Sequence, residues 1–153
     1  MSSSPFENLQ AKRREIYRRV AEMPFGRQVL RPRPDGWSPL EVLEHLNLHD
    51  QWIAGSPSIR KGVPSNSPFL WIGRRLVDSG VSFPTVSFLE PKGGLTLPQL
   101  AEVSDARHTG IATLVANAHP GETMVQGFPF GPLSADQLCT VLDAHYGYHL
   151  KRI

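Results

Sequence analysis

The chain of 153 residues has a single cysteine, Cys139, which excludes an internal disulfide and any zinc knuckle built on paired cysteines. No stretch approaches the ~20 apolar residues needed to span a bilayer. The opening Met-Ser-Ser-Ser-Pro-Phe has no basic segment followed by an apolar one, so it does not read as a secretory leader. Excess charge is also scarce. Sixteen lysines and arginines against fourteen carboxylates leave a net +2, which gives no electrostatic footprint for nucleic acid. The basic run Lys12, Arg13, Arg14, Arg18 and Arg19 reads as a solvated helix face, not a phosphate-binding stripe. The expectation is one cytoplasmic domain over residues 1–153, large enough to bury a core unaided, with neither membrane nor nucleic acid as a partner.

Helix-start signals, by contrast, are plentiful. Ser38-Pro39-Leu40-Glu41 sets a serine cap, a proline at the first helical position and a glutamate three residues after the cap. That is a capping box, with Trp37 and Val42 placed to staple across it. Thr96-Leu97-Pro98-Gln99 repeats the pattern between Leu95 and Leu100, and Ser134-Ala135-Asp136-Gln137 repeats it between Leu133 and Leu138. A further start lies at Ser4-Pro5, followed by Phe6, Leu9, Ile16, Tyr17, Val20 and Met23 on one face. Helices are predicted near 5–22, 38–53, 97–118 and 134–152, with turn-rich connections at 24–36 and 119–132. In the long stretch 54–95, residues 67–77 could form a short extra helix. Residues 81–94 alternate like a strand, but Pro84 and Pro91 make them an extended loop. The fold class is therefore all-α.

Six histidines carry the functional signal. His145 and His149 stand four apart, so on a helix they share a face with Cβ atoms roughly 5–6 Å apart. At about 100° per residue, both fall in the arc of Leu138, Val141, Leu142 and Ile153, opposite Asp136, Gln137, Thr140, Asp143, Ala144, Gly147 and Lys151. Two imidazoles facing a core must each find a partner or pay for desolvation, and one metal ion satisfies both. In the second helix His45 and His49 lie on the edge of the Val42, Leu43, Leu46, Ile53 arc, as a second paired site or as one ligand and one bystander. His108 falls in the apolar arc of the third helix with Leu97, Ile111 and Val115. His119, before Pro120, is placed to cap the last carbonyls of that helix.

Trp37-Ser38-Pro39-Leu40-Glu41-Val42-Leu43-Glu44-His45-Leu46 resembles the "W-s-p-x-e-v-l-x-H-l" segment of the DinB/YfiT-like superfamily. Gly131-Pro132-Leu133-Ser134, the His145-xxx-His149 pair and the terminal isoleucine are similar to that family's last helix. The matched segments cover roughly a quarter of the chain, in the family's order, with about a hundred residues between the single histidine and the pair. The resemblance implies a four-helix bundle with a long crossover between helices 2 and 3, occupying 54–95. It also implies a metal site of His45, His145 and His149, holding a divalent ion: zinc or nickel ahead of iron or manganese. Characterised relatives include thiol-dependent S-transferases and a thiol-dependent isomerase, with hydrolases also suggested. Three features depart from the pattern: Arg152 stands where relatives often carry glutamine, Lys151 adds charge beside it, and His49 has no fixed counterpart. The appended second domain of some thiol-using relatives is not expected.

Three neutral imidazoles leave a divalent ion its full charge and at least one open position, for a water with its pKa lowered toward ~7 or for a thiolate. The expectation is a metal-dependent enzyme acting on a small molecule, as a hydrolase or a low-molecular-weight-thiol S-transferase. A homodimer is the one protein assembly left open. Asp50, Tyr146 and His49 are all candidates for a general base, and none is singled out. The alternative is a non-catalytic metal- or small-ligand-binding bundle with a stress or sensing role. Closure of the site by His49 or His108 would favour that alternative.

Overall fold

Every long helix begins where a side chain satisfies the orphan N–H groups of its first turn. The computed structural model describes residues 3–54, 85–119, 122, 125–127 and 131–153, so the extra helix read at 67–77 lies outside the described residues. Helix α1 spans Pro5–Glu22, α2 Phe25–Gln28, α3 Pro39–Ala54, α4 Leu97–Ala116 and α5 Ala135–Leu150. Reciprocal capping boxes close the N-termini of α1 (Ser4 with Glu7), α4 (Thr96 with Gln99) and α5 (Ser134 with Gln137). At α3 the Ser38 N–H donates to Glu41 Oε2 at 2.8 Å, and the Glu41 N–H donates to Ser38 Oγ at 3.3 Å. Such caps contribute about 0.5–2 kcal/mol each, so the predicted starts hold to within a residue.

The apolar stripes meet in one contiguous core. Leu9, Ile16 and Val20 of α1, Leu43, Leu46 and Ile53 of α3, Leu100 and Ile111 of α4, and Leu138, Leu142 and Tyr146 of α5 are buried together. Helix α1 packs along α5, and α3 packs against both α4 and α5. The basic run of α1 is matched by carboxylates: Lys12 reaches Asp143 at 2.7 Å, Arg13 reaches Asp105 at 2.6 Å, and Arg18 and Arg19 both reach Glu15 at 2.8 Å. Arg14, Arg18 and Arg19 are exposed, whereas Lys12 and Arg13 are half-buried. Among the described residues no helix is long and apolar enough to cross a membrane.

Two small elements were not foreseen. Within the connection at 24–36, four residues form α2, too few to show helical periodicity. Within 119–132, Val125–Gly127 (β1) pairs antiparallel with Gly131–Leu133 (β2), with Val125 opposite Leu133. Fully buried Leu133 anchors this ribbon to the core just ahead of the Ser134 cap. The chain is thus mostly helical, with one short ribbon among the described residues. Among the described residues no hydrogen bond joins the exposed His119 ring to the last carbonyls of α4; the Asn117 side-chain amide donates to the Thr113 carbonyl at 3.0 Å.

One connection matters for the site. Ahead of α4, residues 85–94 have no regular structure except for a 3-10 turn at Ser87–Leu89. The buried Glu44 carboxylate accepts the N–H groups of Lys92 at 3.0 Å and Gly93 at 2.9 Å, fastening this segment to α3. Gly93 and Gly94 take φ of 77° and 85°, values that glycine adopts without steric cost. The fastening presents the Leu89 carbonyl to the interior.

Candidate metal centre

His45 from α3 and His145 and His149 from α5 converge. The Nε2 atoms of His45 and His145 are 3.1 Å apart, those of His149 and His145 are 3.2 Å apart, and one ligand nitrogen from each ring lies within 4.8 Å of the other two. Tetrahedral coordination at Zn–N distances of about 2.0–2.1 Å puts ligand nitrogens roughly 3.3 Å apart, so the spacing suits one ion. Rings of His45 and His149 are 5.1 Å apart between centroids, although their residues belong to different helices.

The protonation state fits too. The His45 Nδ1–H donates to the Leu89 carbonyl at 2.8 Å, which leaves Nε2 a lone pair aimed at the cluster. Desolvation by burial depresses every ring of the group. Burial holds His45 below the ordinary 6.5 and His149 at about 3, and pushes His145 well below 6.5, helped by the charges its three neighbours would carry. Neutral rings at this spacing cannot all be satisfied by each other. His45 offers a lone pair, so a single proton on His145 Nε2 can serve His45 or His149 but not both. A cation among the three nitrogens satisfies all of them at once.

Aromatic rings wall the cluster. Trp37 packs on His45 at 4.6 Å and lies nearly parallel to His149 at 6.3 Å. Trp52 meets His49 edge-on at 5.9 Å, and Phe88 meets Trp52 at 5.5 Å. The Arg152 guanidinium sits 3.5 Å over the Tyr148 ring, and its charge adds to the depression of His149. A cleft lined by Phe25, Arg31, Glu41, Glu44 and Gly93 lies elsewhere, and no histidine lines it.

The two undecided histidines separate clearly. His108 is buried and hydrogen-bonded at both ring nitrogens, to Gln10 at 2.8 Å and Asp50 at 2.9 Å, so it belongs to another network. His49 packs its ring 3.9 Å from that of His145, but it is not among the three converging residues. Among the described residues its buried Nδ1 has no hydrogen-bond partner, and burial lowers its pKa to about 4. It supports His145 by packing. His49→Ala is accordingly expected to weaken metal binding by about 10–100-fold and His45→Ala by more, measured by competition with a chromophoric chelator. Equal losses would make His49 a ligand.

Sequence reasoning passed over Trp37 as a wall, the Leu89 carbonyl, and the buried partnership of Asp50 with Tyr146. Only Asp50 left a signal, as a carboxylate four residues after Leu46 and three before Ile53 on the apolar stripe. Comparison with protein-family models, curated proteins and solved structures returns no match.

Proposed function

We propose that the chain is a metal-dependent enzyme of the DinB-like kind, a four-helix bundle with its crossover between α3 and α4. His45, His145 and His149 hold the divalent ion, zinc or nickel first. The observation that carries this reading is the convergence of three neutral imidazole nitrogens with no fourth side-chain ligand among the described residues. A site of three nitrogens and no thiolate has the donor set of catalytic zinc, whereas structural zinc sites are closed by four ligands.

Bound there, a divalent ion supplies a Lewis acid that generates hydroxide near neutral pH or holds a thiol deprotonated. The protein's own residues do the rest. The Leu89 carbonyl fixes the tautomer of His45, and Trp37 packs against the rings of His45 and His149. The substrate is a small molecule carrying an ester, an amide or a thiol-accepting centre, and the reaction is hydrolysis or transfer from a low-molecular-weight thiol.

The test begins with protein purified without a nickel-affinity step. Metal analysis should find about one divalent ion per chain, as a single three-histidine site requires. Chelation should abolish turnover of an ester, amide or thiol substrate, and added metal should restore it. Stoichiometric metal with no metal-dependent turnover across these classes would favour the non-catalytic binding bundle.

A further inference from the structure

Beside the histidine cluster the core holds a second set of polar side chains that the metal reading does not use. Asp50 of α3 has no solvent exposure. Its Oδ2 lies 2.7 Å from the Tyr146 hydroxyl of α5 and 2.9 Å from His108 Nε2 of α4. Proton positions follow from the far end of the chain of contacts. Arg13 Nε donates to Gln10 Oε1 at 3.1 Å, because a guanidinium has only donors. That turns the Gln10 amide nitrogen toward His108 Nδ1 at 2.8 Å, so Nδ1 accepts. The proton of the His108 ring is then on Nε2 and donates to Asp50. Both partners of Asp50 donate, as they do to an ionised carboxylate.

As an anion, this carboxylate is uncompensated among the described residues. Among the described residues no lysine or arginine pairs with Asp50, and its Oδ1 is buried without a hydrogen bond. A buried charge lacking a counter-ion is strongly destabilising. The histidine cluster has the opposite imbalance, since three neutral rings bring no negative charge to a divalent ion. The two lie side by side. Asp50 follows His49 directly and stands five residues, about 7–8 Å of helix rise, beyond His45, while its partner Tyr146 follows His145.

We propose that Asp50 is the counter-charge of the metal centre: a buried anion that does not ligate the ion but raises the site's affinity for divalent cations. The proposal rests on the metal reading above. Gln10, His108 and Tyr146 are positioning residues that hold the carboxylate in place.

Asp50→Asn is the direct test, because the amide oxygen can accept the same two hydrogen bonds without the charge. Zn2+, Co2+ and Ag+ affinities of the full chain are measured by competition, alongside the visible spectrum of the Co2+ form. Asp50→Asn should weaken Zn2+ and Co2+ binding by about 10–100-fold. Ag+ should lose less, since Coulomb energy scales with the ion's charge, and the Co2+ spectrum should be unchanged because the three nitrogens have not moved. His108→Gln keeps the charge and should change affinity by less than about tenfold. Unchanged divalent affinity in Asp50→Asn overturns the proposal; so does an equal loss for Ag+, or a shifted Co2+ spectrum, either of which assigns Asp50 a purely structural role. If Asp50→Asn does not fold, Asp50→Ser carries the same expectations. Wild-type protein that binds no divalent ion would instead refute the metal reading itself.

Discussion

Protein carrying His145→Ala loses divalent-metal binding, with a larger expected effect than any other single substitution at the site. His145 is the middle member of the three, its Nε2 3.1 Å from that of His45 and 3.2 Å from that of His149. Without it, the two remaining nitrogens come from different helices and chelate poorly. The loss should therefore exceed the 10–100-fold cost of disturbing an outer-shell group. Thermal unfolding reads it simply. A ligand at 100 times its Kd stabilises the folded state by about 2.7 kcal/mol, which for a domain of this size raises Tm by about 5–10 °C. Zinc should raise the wild-type Tm by that amount and leave the variant unmoved. The same rise in both proteins would remove His145 from the ligand set.

Metal-free protein should lose stability steeply as the pH falls from 7 to 5. Burial holds all four clustered rings below the ordinary 6.5, with His49 at about 4 and His149 at about 3. As pH drops through 6.5 the unfolded chain takes up protons that the folded chain refuses, so the equilibrium shifts toward unfolding. The stability these rings contribute is intact above 6.5 and is lost progressively down to their folded values. For His49 alone, a depression from 6.5 to about 4 is worth on the order of 3 kcal/mol. Carboxylates act in a lower window, as Glu15, held near 2 by Arg18 and Arg19, shows. Urea unfolding of chelator-treated protein at pH 7 and pH 5 isolates the histidines, and equal midpoints would contradict their burial as neutral rings. Zinc should protect at pH 7 and less at pH 5, because protons compete for the same nitrogens.

Both expectations depend on a pair that was legible in the sequence. His145 and His149 share a helix face for reasons of backbone geometry, and Leu138 and Leu142 on that face fix its direction. The capping boxes were legible for the same local reason: a cap and its glutamate or glutamine lie three residues apart, so short-range hydrogen bonding places the helix start. Signals spanning fewer than two turns were lost. Four residues of α2 and three in each strand of the ribbon cannot show a period, and the ribbon is held by its pairing and by the burial of Leu133.

The sequence by itself determined which residues begin helices, which faces are apolar, and that His145 and His149 share a face. That His45 completes the group is different. Its residue lies a hundred positions from His145, and nothing local brings their nitrogens to 3.1 Å. The family resemblance named His45, and the packing of α3 against α5 delivered it. Tertiary structure alone separated His108, drawn off by Gln10 and Asp50, from His49, packed at a tilt against the His145 ring. It alone turned the Leu89 carbonyl toward His45 and left the Asp50 Oδ1 buried without a hydrogen bond among the described residues. Periodicity decides which face a side chain takes, because that depends on dihedral angles a few residues apart. Which groups then meet across the interior depends on how helices far apart in the chain pack, and no local pattern encodes that.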